Sequence, residues 1–178
     1  LHLGNMRCEE FDLDGARQAW ETSLARRPSS WAMRNLAELE RRAGRQPAAR
    51  EWLWKALDVG PVTGALATEY ARVLTDQTDW KGIRDFVESL PPDIRDNEHM
   101  AMAGARAALE LGDYAVVERV LARDMATVRE GETTLTDLWF SWHERRLAAA
   151  EGVPVDDALR QRVRKAYPPP SRIDFRMG

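Results

Sequence analysis

Small and large apolar residues return in the first third of the chain at a fixed interval of 33 residues, so that Leu36 follows Leu3 and Ala49 follows Ala16. The first copy contains Leu3, Ala16, Trp20, Ser23, Leu24 and Pro28. The second copy contains Leu36, Ala49, Leu53, Ala56, Leu57 and Pro61. Small residues recur at small places and large residues at large places, which is typical of stacked repeats. The pattern therefore predicts repeated units that pack side by side.

The apolar residues of the first copy have the spacing of one helix face. Ala16, Trp20 and Leu24 lie four residues apart, which predicts an amphipathic helix at about 13–26. A shorter helix is expected at 1–10, and the two would pair as a helical hairpin. We expect Trp20 to fill the space between this hairpin and the next.

The second copy predicts another pair of helices, at about 31–43 and 47–59. Ser30 is the candidate N-cap of the first helix, and Gly44 is expected to end it. A proline at position 47 is tolerated because it falls in the first turn of its helix. The second hairpin is thus delimited by local signals at both ends.

The repeat is weaker in the rest of the chain, but its register continues. Tyr70-Ala71 takes the place of Leu36-Ala37, one residue late. We predict four hairpins within 1–126, a divergent capping hairpin, and an extended C-terminal tail. Their ranges are 1–28, 30–61, 63–92 and 97–126 for the hairpins, 127–167 for the cap, and 168–178 for the tail.

Each copy begins with Leu-Gly or Leu-Ala, continues with a small residue, a large residue and a small residue followed by leucine, and closes with a proline. This order resembles the tetratricopeptide repeat (TPR), whose period is about 34 residues. The resemblance implies an all-α fold, a right-handed superhelical stack of about five antiparallel helical hairpins. In that family the first helices of successive hairpins line a concave groove that often holds a peptide. It therefore implies a non-catalytic protein-interaction scaffold.

The groove-facing positions that the resemblance implies are rich in arginine. They are Asn5, Arg34, Glu38, Arg41, Arg72 and Arg106. Guanidinium groups pair bidentately with carboxylates, which favours an acidic segment or a C-terminal carboxylate as the ligand. TPRs that clamp a chaperone's terminal carboxylates use lysines as well as asparagines, whereas this groove has no lysine and has Thr68. An unoccupied groove in a purely architectural module stays open as an alternative.

Composition excludes several classes of partner. The 178 residues carry a net charge of −3, with a pI of about 5.7, so no bulk positive field attracts nucleic acid or an anionic membrane. No apolar run reaches the roughly 18 residues that a membrane span needs. A single cysteine, Cys8, is compatible with a reducing compartment. We expect a cytoplasmic protein that binds neither nucleic acid nor membrane.

The sequence contains no complete motif for metal binding or nucleophilic catalysis. His143-Glu144 begins like the zinc-binding motif H-E-x-x-H, but Leu147 occupies the place of the second histidine. Cys8 lacks an adjacent base that would make it a nucleophile. We therefore predict no metal site, no cofactor and no enzymatic activity in this chain.

Tryptophans offer a different alternative. Trp52 and Trp54 are close neighbours on one predicted helix and cannot both face the same core, and Trp31 and Trp80 are further candidates for exposure. An exposed tryptophan would indicate a contact surface, which leaves a homodimer open.

The stretches Thr136–Ala148 and Pro168–Met177 resemble the C-terminal end of large bacterial proteins of unassigned function. Those proteins carry a β-rich domain, with a suggested link to sugars, ahead of TPR-like helices. This resemblance implies the alternative function, a helical accessory module of a larger carbohydrate-active enzyme whose catalytic domain lies upstream.

Overall fold

The structure is a computed structural model that describes residues 13–124 and 134–174. Most of these residues are helical, as the pattern of the sequence predicts. They form ten α-helices and no β-strand, so the predicted all-α class is confirmed for them. The predicted helix at 1–10, with Leu3, Asn5 and Cys8, lies outside the described residues. The helices are α1 (Leu13–Arg26), α2 (Ser30–Arg42), α3 (Gln46–Val59), α4 (Gly64–Asp76), α5 (Trp80–Ser89), α6 (Pro92–Arg95), α7 (Glu98–Leu111), α8 (Tyr114–Leu121), α9 (Thr134–Glu151) and α10 (Asp157–Ala166).

The chain divides into two compact units, the first ending at Met100 and the second beginning at Ala101. In the first unit each of the helices α1, α2, α3 and α4 packs against the next one along the chain. In the second unit α9 packs against both α8 and α10. The predicted repeat ranges and the capping hairpin stay predictions.

The core of the first unit contains the residues that define the repeat. Trp20 is 2% exposed and packs with Ala16 and Leu36, both fully buried. Ala49 and Ala56 of the second copy are also fully buried. A larger side chain at these alanines would force the neighbouring helices apart, and this explains why small residues recur there.

The second unit has a core around α9. Leu135, Leu138 and Trp142 are buried together with side chains of α7 and α8. Ile173, from the segment after α10, is fully buried in the same cluster. The Thr136 hydroxyl donates a hydrogen bond to the Ile173 carbonyl oxygen at 3.0 Å, which fixes this segment along α9.

One predicted cap is wrong by a residue. The side chain of Ser29, not Ser30, accepts the hydrogen bond from the Ala32 amide, at 3.4 Å. Ser29 has an extended backbone (φ −150°, ψ 116°), as an N-cap requires, whereas Ser30 is already helical. Gly44 follows the end of α2 with a positive φ of 72°, the left-handed conformation that glycine adopts without strain.

Candidate functional site

A cleft of about 220 Å³ opens in the first unit between α2 and α4, above α3. We call it the α2–α4 cleft. Its lining is formed by Arg34, Asn35, Ala37, Glu38, Arg41, Leu53, Glu69, Arg72 and Val73. Residues 34, 38 and 41 have the i, i+4, i+7 spacing of one face of α2, and residues 69, 72 and 73 have the i, i+3, i+4 spacing on α4. Each set of residues therefore lies on one face of its helix, and both faces line the cleft.

The floor of this cleft is apolar. Ala37 of α2, Leu53 of α3 and Val73 of α4 are buried, at 3%, 4% and 2% exposure. Their side chains pack the three helices together and leave a shallow hydrophobic surface beneath the charged rim. A bound segment would thus find apolar contact below and charge above.

On one side of the cleft an ion pair joins the two helices. Arg34 donates from Nε to Glu69 Oε2 at 2.9 Å, and its Nη2 pairs with the other carboxylate oxygen of Glu69. The hydrogen bond to Glu69 raises the pKa of the Arg34 guanidinium, although burial opposes this shift. Arg34 is therefore held in place, and two of its nitrogen atoms are already engaged.

The second charged group of the cleft lies within α2. Arg41 donates to both carboxylate oxygens of Glu38, at 2.7 and 2.9 Å, and Arg42 donates to Glu38 Oε1 at 2.8 Å. Hydrogen bonding from Arg41, followed by that from Arg42, lowers the pKa of Glu38 to about 2 against the opposing effect of burial. Glu38 is accordingly an anion shared by two arginines.

Arg72 differs from the other arginines of the cleft. Its side chain is exposed on α4 and forms no ion pair or side-chain hydrogen bond within residues 13–124 and 134–174. The lining contains three arginines and two glutamates, a net charge of +1. Since both glutamates are paired with other arginines, the uncompensated charge is that of Arg72.

Two other groove positions predicted from the sequence, Arg106 and Thr68, do not line this cleft. Arg106 belongs to the second unit, where it pairs with Glu110 at 3.0 Å. Thr68 donates its hydroxyl hydrogen bond to the Gly64 carbonyl of its own helix, at 2.8 Å. Asn5 lies outside the described residues. Four predicted residues, namely Arg34, Glu38, Arg41 and Arg72, line the cleft together.

Sequence reasoning missed Glu69, the partner of Arg34. The repeat register held the necessary signal. With Tyr70 in the place of Leu36, one residue late, Glu69 corresponds to Asn35, which lines the same cleft. Aligning polar positions as well as apolar ones would therefore have placed an acidic side chain opposite Arg34.

His143 lies among aromatic rings in the second unit. Its imidazole stacks on Tyr167 with ring centroids 4.1 Å apart, and it contacts Trp139 and Trp142 at 4.5 and 4.6 Å. Burial, and secondarily the charge of Arg146, lowers the pKa of the imidazole. No group of three or more metal-binding side chains occurs in the part of the chain that the structure describes.

Trp52 and Trp54 differ in exposure, as their neighbouring positions on α3 predict. Trp54 is 57% exposed, with its ring 5.7 Å from that of Tyr70, while Trp52 is half-buried. Trp31 is 37% exposed and contacts Trp20 edge to face. The predicted exposure is confirmed for Trp54 and Trp31, and the homodimer stays a prediction.

In the described portions of the chain, no helix combines the length and the apolar character that crossing a membrane requires. Comparison with protein-family models, with curated proteins and with solved structures finds no match to this chain.

Proposed function

We propose that this chain is a non-catalytic protein-interaction scaffold, built as a right-handed superhelical stack of antiparallel TPR-like hairpins. The 33-residue repetition supports this proposal, together with the burial of its recurring residues. Pairwise packing of successive helices from α1 to α5 also fits such a stack. The scaffold would work in the cytoplasm without a cofactor.

The single observation that carries the proposal is Arg72 at the edge of an apolar-floored cleft. A guanidinium without an internal partner can bind a carboxylate bidentately, which fixes the direction of the ligand as well as its charge. Leu53 and Val73 provide the surface against which an apolar side chain of the same ligand would pack. We therefore propose an extended peptide with an acidic residue or a C-terminal carboxylate as the ligand.

The two paired arginines would have a different role. Because Glu69 and Glu38 hold Arg34 and Arg41 in fixed positions, these side chains lose little further freedom when a ligand arrives. Their remaining N–H groups would form the polar rim. An ion pair at an exposed group such as Arg72 contributes about 1 kcal/mol or less, so the apolar floor must supply part of the affinity.

The proposal is tested by selecting random peptides, displayed on phage, against the purified chain. We expect acidic peptides to be enriched, and Arg72→Glu to weaken the best of them by about tenfold or more because like charges would then face each other. Arg27→Glu is the matched control, since Arg27 is also exposed in the first unit but outside the cleft. Selected peptides that bind equally well to the Arg72→Glu protein would refute this site, and a failure to enrich any peptide would refute the scaffold function.

A further inference from the structure

The second unit contains a larger opening, which shares no residue with the α2–α4 cleft. This cavity of about 530 Å³ is lined by α8, α9, α10 and the segment between the last two. We call it the α8–α10 cavity. Its volume falls in the range of about 300–1,000 Å³ that is usual for small-molecule sites. The polar side chains in its wall are Tyr114, Ser141, Glu144, Arg145 and Arg160.

Glu144 is the unusual member of this set. It is 8% exposed, yet within the described residues its carboxylate accepts no hydrogen bond. Its one ionic contact there is with Arg160, whose Nε lies 4.0 Å from Oε2, beyond hydrogen-bonding distance. The residue as a whole is buried, but its carboxylate oxygens are not, because they open onto the cavity and are accessible to a ligand. Glu144 thus lines the cavity with its hydrogen-bonding capacity unused.

The arginines of the cavity are engaged elsewhere. Arg145 donates to Glu110 Oε2 at 2.6 Å and to the Leu109 carbonyl at 3.2 Å. Arg160 donates to Asp157 Oδ1 at 2.9 Å, and the Asp157 side chain is 90% exposed. An ion pair so open to water is weak and can be exchanged for another. Arg160 is accordingly the cation that an incoming anionic group could recruit.

Two hydroxyl groups complete the wall. Neither Tyr114 nor Ser141 uses its hydroxyl in a hydrogen bond within the parts of the chain that the structure covers. Each can both donate and accept a hydrogen bond. The cavity therefore offers an accessible carboxylate, an exchangeable cation and two uncommitted hydroxyls, alongside the apolar Ala148 and Val155.

We propose that the α8–α10 cavity binds a free α-amino acid. The ligand ammonium donates to Glu144, and its carboxylate accepts from Arg160 in place of Asp157. A purely cationic ligand would be repelled by the two arginines, and a purely anionic one by Glu144, whereas a zwitterion satisfies both signs. The hydroxyls of Tyr114 and Ser141 bind the remaining polar atoms, and the ligand side chain lies against Ala148 and Val155.

Isothermal titration of the whole chain with a panel of free amino acids at millimolar concentration tests this proposal. Propylamine and propionate, which carry one charge each, are the chemical controls. We expect at least one amino acid to bind, neither control to bind comparably, and Glu144→Gln to weaken binding by about tenfold. Glu118→Gln, at an exposed glutamate of α8, is the matched variant and should bind as the unmodified chain does.

Three results would overturn the proposal. They are the absence of binding by every amino acid, equal binding of a single-charge control, and unchanged affinity in Glu144→Gln. Amide chemical shifts of the unmodified chain provide a readout that does not depend on how the variant folds. The shifts should change near Ser141 and Arg160, and changes confined to other segments would place the ligand elsewhere and contradict the site.

Discussion

Among the described residues, each unit of the molecule buries one glutamate, and the two glutamates have opposite surroundings. Glu40 in the first unit is 4% exposed and is held by Arg17 at 2.5 Å and by Arg45. Glu144 in the second unit is 8% exposed, and its one ionic contact within residues 13–124 and 134–174 is with Arg160 at 4.0 Å. Burial alone therefore does not reveal the role of a carboxylate. Its partners separate a structural anion from one that is available to a ligand.

The partners of Glu40 come from different segments, which gives this anion its structural role. Arg17 belongs to α1 and Arg45 to the turn after α2, so Glu40 ties three consecutive segments together. Hydrogen bonding from Arg45, and then from Arg17, lowers the pKa of Glu40 although burial opposes the shift. Other neighbours in the first unit are joined similarly, since Arg50 of α3 pairs with Asp79, the N-cap of α5, at 2.8 Å.

The largest expected effect is therefore on the stability of the first unit. We expect Glu40→Gln to lower the free energy of unfolding by about 2 kcal/mol, because it removes a charge that is hydrogen-bonded twice in a buried place. Glu144→Gln, measured without ligand, should change stability by less than about 0.5 kcal/mol or increase it, since no hydrogen bond is lost. Urea unfolding at neutral pH, followed by circular dichroism, measures both.

The same two variants can contradict the distinction between Glu40 and Glu144. Equal losses would mean that Glu144 closes onto Arg160 in solution and is as structural as Glu40. Equal neutrality would mean that the pairs around Glu40 are replaced by water without cost. Either result removes the distinction between a held anion and an available one.

A smaller effect is expected in acid. The folded-state pKa of Glu38 is about 2 and that of Glu40 is also lowered, against ordinary values of 4.5. Groups with depressed folded-state pKa values stabilise the protein above their unfolded pKa, and this contribution is lost as the pH falls from about 4.5 toward 2. Because the arginines on Glu38 are well exposed, its share should not exceed about 1 kcal/mol.

Unfolding by urea at a series of pH values tests this linkage with a Glu38→Gln, Glu40→Gln double variant. The unmodified chain should lose stability over the stated interval, while the variant should have a flatter profile there. Parallel profiles would show that other carboxylates dominate the acid sensitivity of the chain.

Most of the fold could be predicted from the sequence because its signals are local and periodic. The spacing of Ala16, Trp20 and Leu24 predicted α1 with the bounds that the structure has. The N-cap of α2 could not be assigned from the sequence, because Ser29 and Ser30 are chemically equivalent and only backbone geometry distinguishes them. Of the candidate cleft, the arginines on α2 and α4 were among the groove positions that the resemblance to the TPR implied.

The pairing of these arginines could not be predicted from the spacing of apolar residues. Arg34 and Glu69 are 35 residues apart, and their contact depends on how α2 and α4 pack. The burial of Glu144 had a signal that was not used, because Phe140 and Ala148, four residues before and after it, are both buried on α9. Glu144 lies between these two apolar residues on one face of α9, and packing of that face against its neighbours buries this residue.

The smallest expected effect concerns a glutamate of the second unit that is paired but not buried. Glu151, at the end of α9, accepts hydrogen bonds from Arg162 of α10 at 2.9 and 2.6 Å, and the two side chains are 34% and 57% exposed. The hydrogen bond from Arg162 lowers the pKa of Glu151. We expect Glu151→Gln to leave the urea midpoint at neutral pH unchanged, because water replaces the partner of an exposed ion pair. A loss of stability as large as that of Glu40→Gln would instead show that bidentate hydrogen bonding stabilises these carboxylates irrespective of burial. The difference between Glu40 and Glu144 would then reflect the geometry of their hydrogen bonds and not their burial.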